Sequence, residues 1–234
     1  MDDNGFNLAS GLQPDSRKQL LEVSVFLFLI FPSLIISLLV SQRQMMDFPV
    51  LAVSAILRDL ALMALVFYFI WSNGEPMRRI GFTYRNVRTE VVLGVVLYVP
   101  FLLLISALQN VLIEAGLSAP PESLPAYLKP EGVGEYFLAL VLVTVVAVSE
   151  EVIFRGYLIL RFANVTGNLL LAALQSAVIF SLGHGYEGSA GVVSVGAMGL
   201  IFAGVYLWRM SLVAPIVMHF LQDFIGIIVA PLFT

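Results

Sequence analysis

The chain has no cysteine, only two histidines, and no more than 12% charged residues. The absence of cysteine removes disulfides, thiolate zinc sites and a cysteine nucleophile together. The scarcity of charge, against 59% hydrophobic residues and a mean hydropathy of +0.95, lies far outside the range of a soluble domain and makes this an integral membrane protein. No nucleic-acid surface is visible. The formal net charge of −4 says little about partners, because in a membrane protein the location of charge matters more than its sum.

What the chain does have is a series of apolar runs long enough to cross a bilayer at about 20 residues each. Seven are read: 20–40, 49–71, 91–113, 136–160, 169–182, 192–208 and 212–232. Lipid cannot satisfy backbone polar groups and no alternating ten-residue pattern of a barrel occurs, so the expected fold is all-α. It is a polytopic bundle of about seven helices, with six to eight as the range, enclosing a polar cavity. Residues 1–19 form a polar N-terminal tail and 20–234 a single membrane domain. The fifth run is short enough to be extended or re-entrant. The first run is too long for a signal-peptide core and no small-residue cleavage site follows, so it is expected to stay as an anchor.

Loop charges suggest the orientation. With the N-terminus inside, Arg17, Lys18, Arg78, Arg79, Arg85, Arg88, Arg155, Arg161 and Arg209 lie inside, while only Arg43 and Lys129 lie outside. This asymmetry places the N-terminus in the cytoplasm, the C-terminus outside, and the protein in the cell membrane. The longest outer loop, 116–134, carries Pro120, Pro121, Pro125 and Pro130 and is read as a stiff connector.

Three clusters of ionisable residues interrupt the apolar runs of the second half, and such groups among lipid tails are functional candidates by default. Glu150 and Glu151 precede Arg155; on a helix Glu151 and Arg155 share a face and can pair, while Glu150 points about 100° away at another helix. The plain alternative is that both glutamates snorkel to the inner interface. His184 follows Phe180 in a glycine-flanked turn, where a lone histidine is usually structural. His219 and Asp223 stand at i and i+4 on one face of an apolar span, a pair whose burial without purpose is uncommon. Arg58 and Asp59 also break an apolar run, and are read as helix glue or cavity rim. Gly196, Gly199 and Ala203 form a small-residue stripe suited to close helix packing.

Glu150, His184, His219 and Asp223 around one pocket of water form a set able to hydrolyse a peptide bond. That reaction needs a base for water, donors for an oxyanion and a proton for the leaving amine. The other chemistries available to intramembrane proteases are missing: no His-Glu-x-x-His helix, no Gly-x-Ser-x-Gly or Gly-x-Ser-Gly turn and no cysteine. Two rival readings use the same residues: a proton-coupled transporter with a midplane relay, and a non-catalytic membrane scaffold. The transporter predicts two related halves, whereas these groups crowd into one.

The motifs Glu150-Glu151-x-x-x-Arg155, Phe180-x-x-x-His184 and His219-x-x-x-Asp223, in this order on successive membrane helices, resemble those of the CPBP family of intramembrane proteases. This family contains CAAX prenyl protease 2-like, bacteriocin-processing and abortive-infection-like proteins, and the resemblance covers about 133–234. It implies an all-helical fold around a conical cavity opening to the cytosol. Glu150 and His184 would activate water, His219 and residue 223 would stabilise the oxyanion, and Glu151, Arg155 and Phe180 would support them. Prenyl proteases of the family commonly carry Asn where this chain has Asp223, and an ionised carboxylate accepts but cannot donate. Asp223 therefore donates as the protonated acid, orients His219, or helps to bind a metal. Family members are often labelled metalloproteases, and Glu150, His184, His219 and Asp223 are all ligand types that zinc accepts. The partners implied are the bilayer and a peptide or membrane-protein substrate, CAAX-type C-terminal processing among the options.

Overall fold

The computed structural model describes residues 16–40, 47–83, 86–119 and 129–233. They contain seven long helices and no strand: α1 (Ser16–Val40), α2 (Phe48–Ser72), α3 (Val87–Glu114), α4 (Gly132–Thr166), α5 (Leu169–Leu182), α6 (Gly188–Arg209) and α7 (Val213–Leu232). These follow the seven apolar runs in order. Several start earlier than hydropathy suggests, because polar residues continue a helix out of the apolar zone. Thus α1 takes in Ser16 to Gln19 of the expected tail, and α4 begins at Gly132 and runs for 35 residues. The rest of the tail, the prolines at 120, 121 and 125, Arg43 and Arg85 lie outside the described residues.

Among the described residues α2, α3, α4, α6 with the turn before it, and α7 are long and apolar enough to span a membrane. The protein is thus an integral membrane helical bundle. α5 differs: its 14 residues reach about 21 Å, short of a typical hydrocarbon core of about 30 Å. Its ends are firmly set. Gly167 at φ 68° closes α4 in the left-handed region, and the Asn168 side chain caps α5 by accepting from the Leu171 amide at 3.0 Å.

α4 is the central element, packing against α2, α5 and α7. Its residues 151–161 are buried without interruption, while large side chains elsewhere in the bundle, such as Phe137, Leu103 and Leu170, are exposed as lipid-facing positions should be. Close approach depends on glycine at two crossings. A Cβ on Gly156 of α4 would stand 2.8 Å from the Ile80 carbonyl oxygen, in the turn at Met77–Ile80. A Cβ on Gly199 would stand 3.1 Å from that of Ala177, so the small-residue stripe of α6 is what brings α5 against it.

Two stretches widen from α to π geometry: Glu151–Leu158 in α4 and Phe224–Val229 in α7. Each begins directly beside a candidate residue, Glu150 in one case and Asp223 in the other. Such widened turns are rare and gather at functional sites, since the extra residue re-aims the side chains around it.

Candidate active site

The length of α4 and the shortness of α5 determine which residues meet. Glu150 lies near the middle of α4, and His184 stands two residues past the end of the 14-residue α5, in contact with Phe180.

His219 is at the centre. It is 3% exposed, and its Nδ1 lies 2.8 Å from Glu151 Oε1. Because an ionised carboxylate only accepts, that nitrogen carries the hydrogen and donates it. The other ring nitrogen, Nε2, faces Asp223 Oδ2 at 3.5 Å and Glu150 Oε2 at 3.7 Å. Glu151 also lies 2.8 Å from an Arg155 terminal nitrogen, and both side chains are almost wholly buried. The expected Glu151–Arg155 pair is therefore present, with a task that spacing alone does not reveal. Glu151 fixes the histidine ring and Arg155 holds Glu151.

Arg155 is held in turn by aromatic rings. Its guanidinium lies 4.4 Å from the centre of the Phe180 ring and 5.3 Å from that of Phe202, at cation–π range. Phe180 also touches both imidazoles, with ring centres 4.9 Å from His184 and 6.0 Å from His219. His184 Nδ1 lies 3.1 Å from the Phe180 carbonyl oxygen, so that nitrogen donates and Nε2 is left to act. His184 also interacts electrostatically with Asp223. All seven residues singled out from the motifs belong to one neighbourhood.

Within it the burial is graded. Glu151 and Arg155 are closed off, whereas the side chains of Glu150 and Asp223 are 14% and 23% exposed. Glu150 Oε2 has no hydrogen-bond partner. The two outer carboxylates are thus partly exposed, while His219 and the layer of charge and aromatic rings behind it are buried.

Two further residues, read from sequence as helix glue or cavity rim, lie within electrostatic range of the site. Asp59 of α2 is buried and interacts electrostatically with both Glu150 and His219; Arg58 does so with Glu150 and with Tyr186 of the turn before α6. The available signal was the position of two charges in the middle of an apolar span.

Glu150, His184, His219 and Asp223 do not come together as a zinc shell. Among the described residues no three His, Asp or Glu side chains are arranged to hold a metal ion.

The class that the fold and the site define is an integral membrane helical bundle with a buried carboxylate–imidazole cluster. Residues 132–225 match the family model described as Type II CAAX prenyl endopeptidase Rce1-like. The match falls on the segment that carries the motifs and is consistent with their resemblance to CPBP proteases. That segment contains the π turn of α4, α5, α6 and α7 through Asp223. No curated protein and no solved structure matches the chain.

Proposed function

We propose that this protein is an intramembrane endopeptidase that hydrolyses a peptide bond with water activated by Glu150, acting on a peptide or the C-terminal segment of a membrane protein, as in CAAX-type processing. The observation that carries the reading is the convergence of Glu150 and Asp223 on one imidazole nitrogen of His219, whose other nitrogen is fixed by the buried Glu151–Arg155 pair.

Glu150, with His184 helping to orient the water, takes one proton from it as the hydroxide oxygen bonds to the scissile carbonyl carbon. The carbonyl electrons move to oxygen. His219, with Nδ1 already donating to Glu151, presents a protonated Nε2 to this oxyanion and stabilises it at the moment charge develops. The oxyanion collapses, the carbon–nitrogen bond breaks, and Glu150 returns its proton to the departing amine. Asp223 orients His219 across the 3.5 Å gap. Every proton movement is carried by side chains present in the site, so this reading is of a glutamate-dependent protease. The loop charge asymmetry supports a cytosolic N-terminus.

The test is Glu150→Gln. In purified protein it should abolish cleavage of a prenylated C-terminal peptide, by about a hundredfold or more as for loss of a general base. Because Glu150 is partly exposed and Oε2 is unpartnered, the thermal midpoint should stay within about 2 °C. Full activity in this variant would remove Glu150 from its role.

A further inference from the structure

An arginine at mid-membrane depth is costly unless water, a partner or an anion meets it. Arg58 is the eleventh residue of the 25-residue α2, about 15 Å from one end and about 21 Å from the other at 1.5 Å per residue. Its side chain is nonetheless 49% exposed. The Nε donates to Asp59 Oδ1 at 2.8 Å, and Asp59 is itself only 3% exposed on its side chain. Among the described residues no other hydrogen bond engages the guanidinium. Asp59 therefore anchors the inner edge, and the two terminal nitrogens are left as a fork of donors, the geometry that matches a carboxylate.

The pair lies within electrostatic range of the site. Arg58 interacts electrostatically with Glu150 of α4 and Tyr186 of the turn before α6, while Asp59 does so with Glu150 and His219. The pair belongs to α2, outside the residues 132–225 that match the protease family. The carboxylates within electrostatic range of Arg58 are Asp59 and Glu150, and beyond Glu150 the cluster adds Asp223. A substrate anion is repelled from all of these and attracted at the Arg58 fork. Mid-depth also removes a lipid headgroup as the natural occupant, since headgroups lie outside the hydrocarbon core.

We propose that Arg58 binds the free C-terminal carboxylate of the substrate peptide and thereby sets cleavage a short, fixed distance from a chain end. The inference rests on the peptidase reading above and names the specificity of that same site. Asp59 is the positioning residue that keeps the fork turned toward the substrate.

The probe is an internally quenched peptide with a prenylated cysteine four residues from its end, made as the free acid and as the C-terminal amide. Wild-type protein should cleave the acid with a kcat/KM about ten- to a hundredfold above the amide, mainly through KM, as a charge-assisted hydrogen-bond pair supplies. Arg58→Gln should remove the advantage of the acid, bringing its kcat/KM to that of the amide measured in the same variant. Binding is measured separately in the Glu150→Gln protein, where the acid should bind more tightly and lose that advantage when Arg58→Gln is added. Equal binding of acid and amide, or an equal loss of both on Arg58→Gln, overturns the inference, because a merely structural arginine would affect both alike. An amide-capped peptide ending in Asp that binds as tightly as the acid would refute assignment to the chain end. Cleavage that persists in Glu150→Gln sinks the base assignment instead, with the acid–amide comparison still readable.

Discussion

Two arginines six residues apart on α4 stand at the centre of two buried ionic clusters, and the clusters differ. Arg161 donates to Glu75 Oε1 at 2.6 Å and lies 3.3 Å from Glu22 Oε2. Glu75 also meets Arg79 at 3.0 Å, and Glu22 accepts from Asn73 at 2.7 Å. These contacts are short, and the carboxylates and Arg161 are at most 4% exposed. They tie α1, α2, the Met77–Ile80 turn and α4 together. The Arg155 cluster is equally tight at Glu151, but its outer members approach His219 Nε2 only to 3.5 and 3.7 Å and are partly exposed. Buried charge in a membrane protein therefore has two meanings. Short contacts within a closed set hold helices; a slack outer layer on a rigid inner one leaves room for a reactant.

The comparison is broken most forcefully at Arg161. Arg161→Ala leaves Glu22 and Glu75 buried without their shared cation, which costs about 3–5 kcal/mol when one member of a buried ion pair is removed. Thermal unfolding in detergent should show a large fall in midpoint, while turnover per folded molecule stays within about twofold of wild type. A midpoint unchanged by this substitution would mean that the cluster does not hold the bundle together. Glu150→Gln is the mirror image, with activity lost and stability kept.

Asp223 sharpens the contrast at smaller scale. If it orients His219, Asp223→Asn keeps a side chain of the same shape that can still meet Nε2 through its carbonyl oxygen, and kcat should fall less than about tenfold. Asp223→Ala removes the contact altogether and should cost about a hundredfold, within the usual range for support of proton transfer. Wild-type activity in both variants would show that residue 223 has no part in the reaction.

Much of this was legible in sequence, for a physical reason. Apolar length reports helices in lipid directly, so all seven appear in order, and the motif residues stand out because charge inside an apolar run is rare. The closed cluster was not legible. Glu22 and Glu75 sit at helix ends where charge is ordinary, and nothing in their spacing reveals that Arg161, more than eighty residues from either, will meet both. The role of Glu151 toward His219 was hidden similarly: the i,i+4 rule finds its partner on its own helix, while the second partner comes from α7. The π turn of Glu151–Leu158 has no hydropathy signature either, and no periodicity argument on an α-helix anticipates it.

The smallest effect is expected at Phe180, the ring on which both parts of the site lean. Its face carries the Arg155 guanidinium at 4.4 Å and its edge meets His219. Phe180→Leu retains apolar volume but removes the ring quadrupole, worth about 0.5–2 kcal/mol in cation–π attraction. With Arg155 less firmly seated, Glu151 has two calls on it, the arginine and the histidine, and the ring of His219 loses part of its fixed orientation. The expected result is a threefold to tenfold fall in kcat with KM nearly unchanged and a midpoint lowered by a few degrees, about what that energy produces in a chain of this size. Phe180→Tyr, which keeps the ring face, should recover most of the kcat. If Leu and Tyr behave alike, Phe180 serves only as packing and the rigid inner layer ends at Arg155.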